Sequence, residues 1–201
     1  MSSWDVVVVG AGPAGETVAG RCADGGLRVA LVERELVGGE CSYWGCIPSK
    51  TLIRPGDVLA AAARVPGARE AVTGPVDASA ALAQRSVMTS HWDDTGQLPW
   101  LAEHGVDLVR GTARLDGPRR VVVTDDRASA EQHTAGRAVM LATGTTAAIP
   151  PVPGLAEAVP WDNRDATAAK SVPRRLLVLG GGAVGLELAQ ASVGSAATGW
   201  W

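Results

Sequence analysis

The apolar positions of the first 33 residues fall into two β-branched blocks separated by a glycine cluster. "DVVVVG" carries Val6 to Val9, "GAGPAG" follows, a segment of helical composition runs to about Asp24, and "RVALVE" ends at Glu33. Short β-branched runs read as strands, and a glycine cluster between a strand and a helix reads as a tight turn. The opening therefore predicts a βαβ unit, which favours a parallel sheet. Further on, "KTLIRPGDVLAAAARV" predicts a helix broken at Pro55 and Gly56, and "VPGAREAVTGPVD" a loop. A second helical region spans roughly 78 to 104 and stops at Gly105. "VDLVRGTARLDGPRRVVVTDD" alternates around an Asp-Gly-Pro turn, which predicts antiparallel strands, with a hairpin near 111 to 124 lying against the parallel sheet.

"RAVMLATG" predicts another buried strand, and "IPPVPG" a stiff connection that marks a domain crossing. "RRLLVLGGGAVGLELAQA" then repeats the strand, glycine turn and helix of the N-terminus. The pattern divides the chain into a first α/β domain, residues 1–149, and a linker with the start of a second Rossmann-like unit, residues 150–201. That second unit has one strand and one helix but no following strand, and "SVGSAATGWW" departs from the helical pattern. Residues 150–201 are accordingly expected to be the least stable part of the chain, and a chain ending near Gly154 to be at least as soluble as the whole.

With 201 residues and 46% hydrophobic content, the chain is long and apolar enough for a packed core. A net charge of -3 and a pI near 5.6 give no electrostatic footprint for nucleic acid or an anionic membrane. No basic segment precedes the first apolar block, and no run of about 18 apolar residues occurs, so the expected location is the cytoplasm with no membrane partner. Three cysteines without framework spacing make any disulfide more plausibly catalytic than structural.

Gly10, Gly12 and Gly15, with Pro13 and Ala14 between them, place G-x-G-x-x-G directly after a strand. Such glycines serve either close packing or the approach of a pyrophosphate to the following helix. Glu33 favours the second use. It closes the next strand 23 residues after Gly10, where a carboxylate accepts hydrogen bonds from an adenosine ribose, with Arg34 next to it. Gly180, Gly182 and Gly185, with Glu187 following, form a second copy whose acidic partner would fall beyond residue 200.

Cys41 and Cys46 admit three readings: a metal site, a coincidental buried pair, or a redox pair. Zinc needs about four ligands, and His91, His104 and His133 are scattered. Cys46 lies just before Pro48, which suits a helix first turn whose positive end stabilises a thiolate. A regular helix would separate the two residues by about 7.5 Å along its axis, beyond disulfide reach, and Gly45 offers the distortion that closure requires. Cys22 falls on the packed face of the first helix and reads as core.

"GAGPAG", "GGECSYWGCIPSK", "LATG" and "GGGAVGLE", in this order, resemble the class I pyridine nucleotide-disulfide oxidoreductases, the flavoprotein disulfide reductases that include dihydrolipoamide dehydrogenase, glutathione reductase and mercuric reductase. The resemblance implies a Rossmann-like FAD-binding domain with a central parallel sheet and an antiparallel excursion, followed by an incomplete NAD(P)-binding unit. It implies that Cys41 attacks the substrate and Cys46 lies against the flavin, with Lys50 beside the ring. By the same resemblance Glu33 holds the ribose, Ala113 the adenine through its backbone, Gly39, Glu40 and Cys41 the region of the pyrophosphate, and Thr143 with Gly144 the closing turn. Gly180, Gly182, Gly185 and Glu187 would meet NAD(P)H. Two departures stand out. Glu40 replaces the usual threonine of "GGTC", which should weaken or rearrange the pyrophosphate contact, and Tyr43 and Trp44 lie between the cysteines.

The resemblance covers the N-terminal portion of a longer family member. Members are homodimers, and the segments that carry their dimer contacts and acid-base pair have no counterpart here. Three functional readings follow: electron transfer between NAD(P)H, FAD, the Cys41/Cys46 disulfide and a small-molecule or disulfide substrate; a non-catalytic FAD-binding remnant; and a fragment that needs a partner chain.

Overall fold

A computed structural model describes residues 2–194 and 198–199. In chain order the elements are β1 (Ser2–Val9), α1 (Pro13–Asp24), β2 (Val29–Glu33), α2 (Gly39–Tyr43), α3 (Cys46–Ala63), α4 (Ala78–Met88), α5 (Leu98–Glu103), β3 (Val106–Arg110), β4 (Thr112–Leu115), β5 (Arg120–Thr124), β6 (Ala130–Leu141), α6 (Asn163–Ala168), β7 (Arg175–Leu176), α7 (Ala183–Gly194) and β8 (Thr198–Gly199). They form a mixed α/β fold in two compact units. Residues up to 41 and 92–145 make one, and 42–91 with 146–201 make the other.

The first unit is built on a six-stranded sheet in the order β3-β2-β1-β6-β5-β4. β1 pairs in parallel with β2, Val7 opposite Ala30, as the βαβ pattern predicts. It also pairs in parallel with β6, Val7 opposite Val139. Successive residues of a strand face opposite sides, and here both sides are covered. Val6, Val8, Val29 and Leu31 pack with Ala19, Val37 and Leu101, with Cys22 against this cluster. Val7, Ala30 and Val32 pack with Val121, Val123 and Ala135 on the other side. This two-sided burial is why β1 and β2 read as continuous apolar runs.

The antiparallel expectation holds for β4 with β5 and for β5 with β6. It fails for β3, which pairs in parallel with β2, Leu31 opposite Leu108. The chain reaches β3 through α5, as a crossover, so its direction matches β2. A single residue, Gly111, then separates β3 at one edge of the sheet from β4 at the other. The sheet curls until its edges meet there, and the Gly111 N–H donates to the Glu33 carbonyl at 2.9 Å.

In the second unit, α3 runs unbroken through Pro55 rather than ending there. Helix α7 lies on α3, with Ala189 and Ala191 buried. Arg85 of α4, 3% exposed, donates through Nη1 to the Thr167 and Ala169 carbonyls beyond the start of α6. The apolar run after Arg174 forms a strand over two residues only, and Leu177 and Leu179 stand exposed. Contrary to the expectation of no following strand, Thr198–Gly199 pairs in parallel with Arg175–Leu176. The expectation for the terminal "SVGSAATGWW" falls largely outside the described residues. No described helix is long and apolar enough to cross a membrane.

Candidate functional site: a glycine cradle and a neighbouring cavity

The glycine turn after β1 is fixed by contacts that only glycine permits at two points. Gly10 holds φ +100°, and a Cβ there would lie 2.3 Å from the Ala142 carbonyl oxygen. A Cβ on Gly15 would lie 1.8 Å from the Gly10 carbonyl oxygen, which is how closely α1 approaches the turn. Gly12 differs. A Cβ there would meet nothing within 4 Å. It is the N-cap of α1, with Pro13 at the first turn and no side-chain cap. An uncapped helix start beside an open glycine surface leaves backbone N–H groups for an anion.

The loop after β2 forms the wall of this cradle. The Gly38 N–H donates to the Ala11 carbonyl at 2.7 Å, and Gly39 comes so near that its Cβ would stand 2.7 Å from Gly12 Cα. Glu33, 8% exposed, secures both segments: Oε2 accepts from the Ala11 N–H at 2.7 Å and Oε1 from the Glu35 N–H at 2.7 Å. Each oxygen keeps a further lone pair for a ligand hydroxyl. Asp94 holds the far end of the loop, accepting from the Val37 N–H at 2.7 Å and from Arg110 Nη2 at 2.6 Å. Arg110 also donates to the Glu35 carbonyl at 2.8 Å.

A cavity of about 120 Å³ opens at the carboxyl ends of β1 and β2, lined by Gly10, Glu33, Arg34, Gly111, Ala113 and Thr143 among others. Five sequence-predicted residues thus converge: Gly10, Glu33, Arg34, Ala113 and Thr143. The crevice lies where the chain leaves β1 for opposite neighbours, the usual ligand position in such sheets. Gly144, at φ +67°, follows Thr143. Asp94, Arg110 and Gly111 were not legible as site residues, since their partners are distant in sequence and no local motif marks them. Glu16, in the first turn of α1, has its carboxyl pushed above the usual range by burial and then by the charge of Glu33.

Glu40 and Cys41 lie in α2, and Cys41 is half-buried. In the second unit, Cys46 is the exposed first residue of α3. Lys50, one turn further, pairs with Glu187 of α7 at 2.5 Å, and Ser49 Oγ donates to the same carboxylate oxygen at 3.2 Å. Lys50 leads the hydrogen bonds that hold the Glu187 carboxyl below its ordinary range. Two residues assigned from sequence to different cofactors are therefore partners of one another. Gly180 holds φ +107°, and a Cβ on Gly185 would lie 3.4 Å from its carbonyl, a looser form of the first turn. Among the described residues, no group of three or more His, Cys, Asp or Glu is placed to hold a metal.

The cradle, the carboxylate at the end of β2 and the recurrence of a glycine turn in the second unit are features of a Rossmann-like α/β fold. The chain belongs to the pyridine nucleotide-disulphide oxidoreductase family, which matches residues 4–198. It is 31% identical to a mercuric reductase of Staphylococcus aureus over 93% of this chain and 33% of that protein. It is 39% identical to dihydrolipoyl dehydrogenase 3 of Pseudomonas aeruginosa over 94% of this chain and 40% of that one. A solved structure of the Cu(II) complex of the HOCl-induced flavoprotein disulfide reductase RclA from Escherichia coli superposes with a TM-score of 0.83 at 25% identity, over 99% of this chain and 42% of that one. The chain spans well under two thirds of the length of each of these relatives.

Proposed function

We propose that this chain binds FAD through the cradle and cavity of its first unit, and that Cys41 and Cys46 form the redox couple of a flavin-dependent disulfide oxidoreductase drawing on NAD(P)H. The observation that carries the reading is the cavity, where Glu33, Arg34, Ala113 and Thr143 converge beside the turn that leads to the open surface of Gly12. Those residues fit the adenosine half of the cofactor, Glu33 towards a ribose and the Ala113 backbone towards a base. Gly12, Pro13, Ala14 and Gly39 fit the pyrophosphate. When bound, FAD supplies two-electron redox chemistry that protein side chains lack. The chain's own part is to hold the dinucleotide and to supply two thiols, which give up two electrons and two protons on forming a disulfide and take them back on reduction. Cys46, exposed at the start of α3, is accessible for that exchange. The electron acceptor is a small molecule or a disulfide.

A second reading, FAD binding without turnover, is favoured by the exposure of Leu177 and Leu179 beside a second nucleotide turn that has only a two-residue strand pairing behind it. The visible absorption spectrum of the purified protein, reconstituted with FAD, tests both. Flavin bands that survive gel filtration support the cradle, and Gly10→Ala should abolish them, because its Cβ would collide with the Ala142 carbonyl. Bleaching on addition of NAD(P)H supports the oxidoreductase, and retained colour supports the second reading. A protein that retains no flavin under any reconstitution condition sinks both.

A further inference from the structure

Trp44 lies three residues after Cys41 and two before Cys46, so its conformation sets the covalent path between the thiols. In the second unit this residue is gripped by both its backbone and its side chain. Asn163 Nδ2 donates to the Trp44 carbonyl at 3.1 Å, and the Thr167 hydroxyl approaches the same oxygen at 3.4 Å while bonding chiefly to the Asn163 carbonyl at 2.8 Å. Asn163 and Thr167 are four apart and share one face of α6. The Arg164 guanidinium stacks over the Trp44 indole, 4.0 Å from its centroid, a contact that strengthens with desolvation.

The gripping helix is itself held at each end. Asp162 accepts from the Arg164 and Asp165 N–H groups, and the Asp165 carboxylate accepts in return from the Asp162 N–H at 3.0 Å. Beyond Thr167, which is 1% exposed, Arg85 takes up the Thr167 and Ala169 carbonyls. A helix of six residues would fray in isolation. Here it is anchored, and what it holds is the residue between the cysteines.

We infer that α6 is a positioning element for the Cys41/Cys46 couple, with Asn163 and Arg164 fixing Trp44 so that the intervening chain is preorganised for disulfide closure. This rests on the reading of those cysteines as a redox pair. Ordering the tether in advance removes conformational freedom that closure would otherwise have to remove, and so raises the effective concentration of one thiol at the other. The reaction to follow is closure by glutathione disulfide. The two protein thiols are oxidised to one disulfide, the glutathione disulfide is reduced to two glutathione thiols, and the two thiol protons pass to them.

The test is the equilibrium constant of this exchange, measured on the full chain in glutathione buffers by alkylation and mass spectrometry. Asn163→Ala should lower the constant about tenfold, equivalent to about 30 mV for a two-electron couple. Arg164→Ala should lower it several-fold, and Thr167→Ser should keep the wild-type value. Leu101→Ala, in the core of the first unit, controls for general destabilisation and should leave the constant unchanged, because it does not touch the tether. Asn163→Ala and Arg164→Ala that fold by near-ultraviolet dichroism yet stay within twofold of wild type would overturn the inference while leaving the redox reading intact. Should Asn163→Ala fail to fold, Arg164→Ala alone decides by the same criterion. A wild-type chain that forms no Cys41–Cys46 disulfide at any buffer ratio overturns both.

Discussion

Glu16 and Glu33 show how two carboxylates of one unit come to play opposite parts. Glu33 receives backbone N–H donors on both oxygens, whereas burial and then the charge of Glu33 push the Glu16 carboxyl upward. A folded carboxyl that keeps its proton to higher pH than the unfolded one binds more protons in the folded state, so stability falls as pH rises through that interval. Glu16→Gln removes the penalty. The variant should be more stable than wild type at neutral pH, with the difference vanishing below the ordinary carboxylate range. Urea unfolding midpoints measured across pH will show whether the two curves converge in acid. At this scale Glu33 was legible because its distance from the glycines is fixed by one helix and two strand ends. Its bonds to Ala11 and Glu35 were not, and neither was the Lys50 pairing with Glu187, since an ion pair between remote residues leaves no local pattern.

Helix α3 runs on through Pro55, which lacks the N–H that would bond the Thr51 carbonyl and crowds the preceding turn. Local propensity places a break there. Tertiary packing overrides it, because α4 and α7 both lie along this helix. Pro55→Ala should therefore raise stability by roughly 1–3 kcal/mol, seen as a higher unfolding midpoint with unchanged helical dichroism at room temperature; a lower midpoint would mean that the proline is required by the packing. The same contrast explains which elements could be read in advance. β1, α1 and β2 were legible because burial on two faces writes itself as unbroken β-branched runs. The direction of β3 was not, because "VDLVR" alternates in the same way whether its neighbour is parallel or antiparallel. The strand after Arg174 was read too long, since Leu177 and Leu179 have strand character but no neighbour in the described residues to pair with them.

Taken whole, the chain is divided against its own order: residues 42–91 find their partners in 146–201 rather than in the sheet that precedes and follows them. Deleting everything after Gly154 would strip Lys50 of Glu187, Arg85 of the Thr167 carbonyl and Trp44 of Asn163 and Arg164. In place of the solubility expected from sequence, the shortened chain should unfold at lower urea than the full one and bind a hydrophobic dye, and equal midpoints would show that the second unit's helices hold without their C-terminal partners. Limited proteolysis should cut first within 146–161, which is irregular and exposes Ile149, Val152 and Val159, and spare the anchored α6. The sheet carries a consequence of another kind. β1 is made long before one of its two neighbours, β6, with Ser2 opposite His133. On the ribosome, therefore, β1 must wait through the synthesis of α1 to α5 and of β2 to β5 before its central seam can close. Such non-local closure is slow, and through that interval the valines of β1 are the stretch of nascent chain in most need of a chaperone's cover.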